Sequence, residues 1–371
     1  MRTKAAVCRA LNGPIEIEEL ELDEPKEKEV LVKTAHAGWC HSDLTMWKGG
    51  YGVDINPFVL GHECAGVVEK VGRGVTTVKP GDHVVAAWAA PCGQCEACVS
   101  GRTHTCLSMM QTLGTGKLLD GTSRWRDKKG KEVNHQLFVS AFSEYIVSPE
   151  ISCVKIRDDL PLDQACLLGC CVPTGWGAAV ISAETRPLHA VAVWGMGGVG
   201  LNVVQGAKTV GAFPIIAVDL EGSKEEIARK MGATHFINSS EEDPIPKIKE
   251  LTDGKGVHRA FEAVGDSGAY LQAFYSLRQK GRLMAIGVVP VNEKPGNIPW
   301  YSFSNQEHII QGVCYGGVRH QIDIPLLADK AARGELNVGG LITRHLKIED
   351  INEVIRAMEK REIVGRWVFD F

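Results

Sequence analysis

Charge of one sign is what this sequence lacks. Its 371 residues carry 41 Lys and Arg against 45 Asp and Glu, a formal net charge of −4. No overall basic field therefore draws it to nucleic acid or to an anionic membrane surface. It also lacks any run of about 18 uninterrupted apolar residues, the length of a membrane span. The N-terminal stretch MRTKAAVCRALNGPIEIEEL turns acidic too soon to hold a signal-peptide core. Disorder is excluded as well, because 44% of the residues are hydrophobic, as in an ordinary globular protein. A cytoplasmic enzyme is the expectation. At roughly 150 residues per domain, the length suggests two domains.

Cysteine, in contrast, is plentiful, with 12 in the chain. Cys92, Cys95, Cys98 and Cys106 crowd into one short stretch, too close for a disulfide framework across a chain of this size. Four thiolates suit tetrahedral zinc at about 2.3 Å, and two-residue gaps let a tight turn aim neighbouring sulfurs at one ion. Pro91, Gly93 and Gly101 supply the turns. With sulfur at all four positions no site is left open for water, so the expected zinc is structural. A nucleic-acid zinc ribbon would need a wider basic flank than Arg102, His104 and distant lysines.

The first third reads as short strands. Residues 29–35 (EVLVKTA) alternate polar with apolar, and 64–71 (CAGVVEKV) and 82–87 (DHVVAA) are rich in valine. Gly61, Gly66, Gly72, Gly74 and Pro80-Gly81-Asp82 punctuate them, as in an irregular β domain. Residues 92–140 are polar and weakly periodic, a lobe that needs a staple. After about residue 170 the pattern changes to strands alternating with helices: 190–194, a helix over 201–210, 214–218, a charged helix over 224–231, then 236–237, 259–263 and 282–289. Such alternation predicts a parallel sheet with crossovers. The chain closes with a helix over 351–360 and a strand over 365–371.

Two further constellations carry chemistry. Gly195-Met-Gly197-Gly198-Val199-Gly200 lies between a valine-rich strand and a helix start, with Asp219 at the end of the next strand. The glycines permit a tight turn and close approach of a pyrophosphate to the helix N-terminus. Asp219 suits the adenosine ribose hydroxyls and repels a 2′-phosphate, which favours NAD over NADP. Glu221 adds to the repulsion, and Lys224 is placed to hydrogen-bond the ribose. The other constellation is dispersed: Cys40-His41-Ser42-Asp43, Gly61-His62-Glu63 and Cys170. Two thiolates and an imidazole make a three-ligand set that leaves zinc an open fourth position, although spacing alone does not establish that they converge.

Together with Leu168-Gly169-Cys170, Thr174-Gly175-Trp176-Gly177 and the stretch Leu119-Asp120-Gly121-Thr122-Ser123-Arg124, these motifs resemble the zinc-containing alcohol dehydrogenases of the medium-chain dehydrogenase/reductase superfamily. The resemblance spans essentially the whole chain, and the last stretch looks like the dimeric class I and class III branch. It implies an α/β protein with a GroES-like irregular β catalytic domain and a Rossmann, doubly wound parallel-sheet domain. Residues 1–171 and 316–371 would form the first, with the structural zinc lobe at about 90–140, and 172–315 the second. Cys40, His62 and Cys170 match the catalytic zinc ligands, Asp43 the carboxylate behind the imidazole, and Glu63 a carboxylate near the metal. Ser42 matches the hydroxyl that takes the substrate proton, and Trp88 falls on the substrate-pocket wall. His41, Thr174, Val264, Val288 and Arg366 match further cofactor contacts.

This sequence departs from the pattern at three places. Thr45 stands where many relatives have a proton-passing histidine, Asp266 where many have arginine, and Cys171 where glycine is frequent. The implied reaction is reversible NAD-linked oxidation of an alcohol to an aldehyde or ketone, with two zinc ions per chain and a small-molecule substrate. Neither nucleic acid nor membrane is an expected partner. The alternatives are the thiol adduct of formaldehyde or a hydroxyacyl thioester as substrate, a permanently bound NAD, and, in another functional class, a non-catalytic NAD- and zinc-binding protein. A homodimer, or a tetramer, is expected to pair through the sheet edge near 305–313.

Overall fold

The computed structural model describes residues 1–291, 293 and 296–371. The chain divides into two compact units, one of Met1–Cys170 with Arg319–Phe371 and the other of Cys171–Val318.

In the first unit, short strands at Arg2–Cys8, Ile15–Leu22, Trp125–Arg126, Glu132–His135 and Phe58–Val59 close into a barrel. Two of these lie inside the polar stretch 92–140, so part of the expected lobe is barrel wall. Arg124 fixes that part: fully buried, it donates to Glu29 at 2.8 Å and to Asp120 at 2.8 Å. A second sheet runs Cys153–Lys155, His83–Ala86, Glu63–Val71, Glu29–Gly38, Arg366–Asp370, Ile342–Lys347, with Tyr145–Pro149 also pairing on Glu29–Gly38. Alternate valines and alanines of these strands fill one core with Trp39, Phe142 and Phe369. The C-terminal helix forms at Ile351–Glu359 because Ile351, Val354 and Ile355 fall on one face and are buried.

The second unit holds six parallel strands in the order His235–Asn238, Ile215–Asp219, Val191–Trp194, Val257–Glu262, Leu277–Ala285, Ile309–Gly312. This is the doubly wound order, with its switch point between Val191–Trp194 and Val257–Glu262. Val191–Trp194 and Ile215–Asp219 are buried at every position, which is why they read as continuous apolar runs. One expectation is corrected here. The strand predicted over 282–289 instead spans Leu277–Ala285, because the N–H groups of Ile286 and Gly287 both turn onto the Glu262 carbonyl, at 3.0 and 2.9 Å. Val288 therefore lies beyond the strand rather than in it. No single helix among the described residues is long and apolar enough to cross a membrane.

Candidate active site and metal centres

Cys40 is the N-cap of the helix His41–Trp47, and Asp43 reaches back from that helix's first turn to accept the Cys40 N–H at 2.9 Å. Its other oxygen accepts from His62 Nδ1 at 2.7 Å and from Gln136 Nε2 at 2.8 Å. Gln136 in turn accepts the Gly61 N–H at 2.7 Å. A wholly buried carboxylate is thus held by three donors. With its Nδ1 proton committed to Asp43, His62 leaves Nε2 as the ring atom open to a proton or a metal ion. Gly61 makes the corner, with φ of 95° and a Cβ that would lie 2.7 Å from the Phe142 nitrogen, so no side chain fits there.

Cys40, His62, Glu63 and Cys170 bring one ligand atom each to within 4.8 Å of one another. The hydrogen bond from Cys170, aided by His62 against the cost of burial, holds the Cys40 thiol well below its usual value. Burial opposes charge on His62, but Asp43 and Cys40 outweigh it and raise the imidazole well above its ordinary range. Burial pushes the Glu63 carboxyl up to about 8, against the pull of Arg366, which hydrogen-bonds it. That pair needs Gly38, which faces Glu63 across two strands. A Cβ at Gly38 would collide with the Glu63 carboxylate and lie 2.8 Å from Leu167 Cδ2. A cluster that stabilises thiolate beside a pre-oriented imidazole has the donor chemistry of a zinc site.

The neighbouring residues explain one departure from the family pattern. Thr45 donates to the His41 carbonyl at 3.1 Å and lies 3.3 Å from His41 Nδ1, so its hydroxyl is engaged within its own helix. Ser42 lies instead against the Tyr51 hydroxyl, whose pKa burial raises above the ordinary phenol value. Trp88 is half-buried against the core of the first unit.

The second cluster sits in the lobe. Cys95 Sγ lies 3.5 Å from Cys98 Sγ and 3.8 Å from Cys106 Sγ, while the Cys95 N–H points at Cys92 Sγ at 3.4 Å. Four sulfurs about 2.3 Å from a tetrahedral ion stand about 3.8 Å apart, and the observed spacings match. N–H groups of Gln94 and Cys95 lower the Cys92 thiol to about 6, and burial raises Cys98 to about 12. None of the twelve cysteines is in a disulfide.

In the second unit, Gly195 has φ of 90°, and a Cβ on Gly200 would overlap the Gly195 carbonyl oxygen. Gly197 caps the helix Gly198–Thr209 with no side-chain bond, and a Cβ there would meet nothing within 4 Å. The helix N-terminus thus opens onto space that a phosphate group fits. Asp219 accepts from the Met196 N–H at 2.6 Å and the Glu221 N–H at 3.0 Å. Lys224, expected toward a ribose, bonds both Asp219 oxygens at 3.1 Å. Thr174 is buried in the helix Cys171–Gly177, while Val264 and Val288 are each 47% exposed. Asp266 caps the helix Ser267–Tyr275 by accepting the Ala269 N–H at 2.8 Å, which gives an aspartate there a structural reason.

Three residues near these sites escaped the sequence reading. Besides Gln136 and Tyr51, Glu262 is fully buried and accepts the N–H groups of Val264 and Gly265, both at 2.9 Å. Burial, against those hydrogen bonds, lifts its carboxyl to about 7. It thereby fixes the turn that presents Val264. A carboxylate ending a buried strand is the one signal that was available for it.

Comparison with known proteins agrees with this chemistry. The family described as alcohol dehydrogenase GroES-like domain matches residues 26–158, and the one described as zinc-binding dehydrogenase matches 198–333. An S-(hydroxymethyl)glutathione dehydrogenase of Escherichia coli O1:K1 / APEC is 38% identical over 362 residues, 97% of each chain. Among solved structures, an alcohol dehydrogenase zinc-binding domain protein from Burkholderia ambifaria superposes with a TM-score of 0.94 at 33% identity, covering 100% of this chain and 99% of that one. Benzyl alcohol dehydrogenase from Acinetobacter calcoaceticus gives 0.91 at 31% identity, with the same coverage.

Proposed function

The chain belongs to the zinc-dependent alcohol dehydrogenases of the medium-chain dehydrogenase/reductase superfamily, an oxidoreductase acting on alcohols, and from that premise we propose how its own residues divide the work. The first unit is the catalytic domain and the second binds NAD. Cys40, His62 and Cys170 hold a catalytic zinc and the four lobe cysteines a structural one. The observation that carries this is the set of donors gathered within 4.8 Å with Asp43 locked behind His62. When bound, zinc supplies a Lewis acid and NAD a hydride acceptor.

The residues do the rest. Asp43 fixes the tautomer and orientation of His62, and the Glu63–Arg366 pair places a second carboxylate beside the ligand set. Ser42 would accept the proton leaving the substrate hydroxyl while passing its own hydroxyl proton on to the nicotinamide ribose. Tyr51 lies next to it, while Thr45 stays bonded to its own helix, so no base stands on this helix at that position. Trp88 narrows the substrate space. On the NAD side, the 195–200 turn receives the pyrophosphate, and Asp219, steadied by Lys224, accepts the adenosine ribose hydroxyls. His41, Thr174, Val199, Val264, Val288 and Arg366 complete the cofactor contacts.

The substrate we propose is a primary alcohol, with the S-hydroxymethyl adduct of a thiol as the second reading; the first has support from the benzyl alcohol dehydrogenase neighbour and the second from the curated relative. NADH formation at saturating NAD decides between them, using benzyl, allylic, aliphatic and cyclic alcohols beside formaldehyde with and without glutathione. Turnover of the alcohols alone is the expected outcome. Turnover only when formaldehyde and glutathione are both present would move the chain to the second reading, and silence on every substrate would refute the catalytic one. We place the enzyme in the cytoplasm, a compartment that suits a chain whose cysteines form no disulfide. We also read it as a homodimer through the edge strand Ile309–Gly312, whose Ile309 and Ile310 are 42% and 38% exposed. A monomer in sedimentation would reject that part.

A further inference from the structure

A third group of metal-binding side chains lies on the central sheet of the first unit, outside both cysteine sites. The strands Glu29–Gly38, Arg366–Asp370 and Ile342–Lys347 are neighbours, with Arg366–Asp370 in the middle. Asp370 pairs directly opposite His36. On the other side Lys347 stands opposite Asp370 and His345 opposite Val368, so His345 and Asp370 share a face, one diagonal step apart. The side chains converge accordingly. His36 Nδ1 lies 2.9 Å and His345 Nδ1 2.8 Å from the same Asp370 oxygen.

All three ligand atoms fall within 4.8 Å of one another. Two metal–ligand bonds of about 2.1 Å end about 3.0 Å apart at the right angle of octahedral coordination and about 3.4 Å apart at a tetrahedral angle, and the observed 2.9 and 2.8 Å lie nearer the first. The site is also reachable, since the three side chains are between 27% and 43% exposed. A second carboxylate adds negative charge beside the cluster, with Asp163 Oδ2 3.7 Å from His345 Nε2. Hydrogen-bonded as it stands, His345 Nδ1 carries the proton that faces Asp370, and a metal ion would bind there by displacing that proton.

From this geometry we propose that His36, His345 and Asp370 form a third metal site, distinct from the two cysteine sites, for a borderline divalent transition ion such as Zn²⁺, Ni²⁺ or Co²⁺. Two imidazoles and one carboxylate select such ions over Mg²⁺ and Ca²⁺, which prefer oxygen. Three protein ligands leave the remaining positions to water. An ion there ties together three strands of which the middle one begins with Arg366, the partner of Glu63, and another leads into Cys40. Protons compete for the same lone pairs, because the same spacing serves two hydrogen bonds to one oxygen.

The test is calorimetric titration of Ni²⁺ into tag-free, zinc-loaded enzyme, with zinc content read before and after. We expect saturable binding of one Ni²⁺ per chain without loss of zinc, and no such binding of Mg²⁺. His345→Gln and Asp370→Asn should each weaken Ni²⁺ binding about tenfold or more. His345 is the most exposed of the three, so its variant keeps the test meaningful if Asp370→Asn folds poorly. Absence of saturable Ni²⁺ binding, uptake only by zinc displacement, or unchanged affinity in His345→Gln would overturn the proposal. None of these readouts depends on which alcohol the enzyme oxidises.

Discussion

Asp43 serves three donors at once, and removing any one of them has a calculable consequence. Gln136 is the most informative, because it bonds Asp43 with its amide N–H and the Gly61 N–H with its carbonyl, at 2.8 and 2.7 Å. Gln136→Leu keeps most of the volume but strands a buried backbone N–H and strips a donor from a buried carboxylate. We expect a loss of about 1–3 kcal/mol in chemical denaturation, together with weaker retention of the zinc held by His62. Unchanged stability would mean that Gln136 is packing only. This residue was not legible in the sequence. Its partners lie 93 and 75 positions away, and a lone glutamine in a polar stretch carries no period or spacing to mark it. The same holds for His36, His345 and Asp370, which only the sheet brings together.

Whole elements were far easier to read. The strand, glycine turn and helix from 191 to 209 are contiguous, and Gly195 and Gly200 each answer a local steric demand. The amphipathic helix Ile351–Glu359 was legible for the same reason, through its period. What misled was the end of Leu277–Ala285, since residues 286–289 are as apolar as the strand itself. The turn there is set by the Glu262 carbonyl on a neighbouring strand together with Gly287, where no side chain fits. At this scale the account predicts cofactor choice. The Asp219 carboxylate should make the enzyme prefer NAD to NADP, and Asp219→Asn, which removes the charge and releases Lys224, should narrow the kcat/KM ratio at least about tenfold, or about 1.4 kcal/mol. A ratio that does not move would place the discrimination elsewhere.

For the whole molecule, the order of the chain hides as much as it shows. The last strand, Arg366–Asp370, completes a sheet begun by Glu29–Gly38, and its first residue reaches Glu63 in the candidate active site. The proposed zinc ligands Cys40, His62 and Cys170 likewise come from three separated stretches, so the sequence offered the right residue types without their convergence. Within the first unit, the fold supplies that convergence.

Whether Cys170 holds a catalytic zinc is decided by Cys170→Ala, assayed for zinc content and for NAD-dependent alcohol oxidation on the same preparation. One zinc equivalent should be lost, the zinc of the four-cysteine lobe retained, and NADH formation abolished in a folded protein. Near-normal turnover by that variant, or retention of the full zinc content, would contradict that assignment of Cys170.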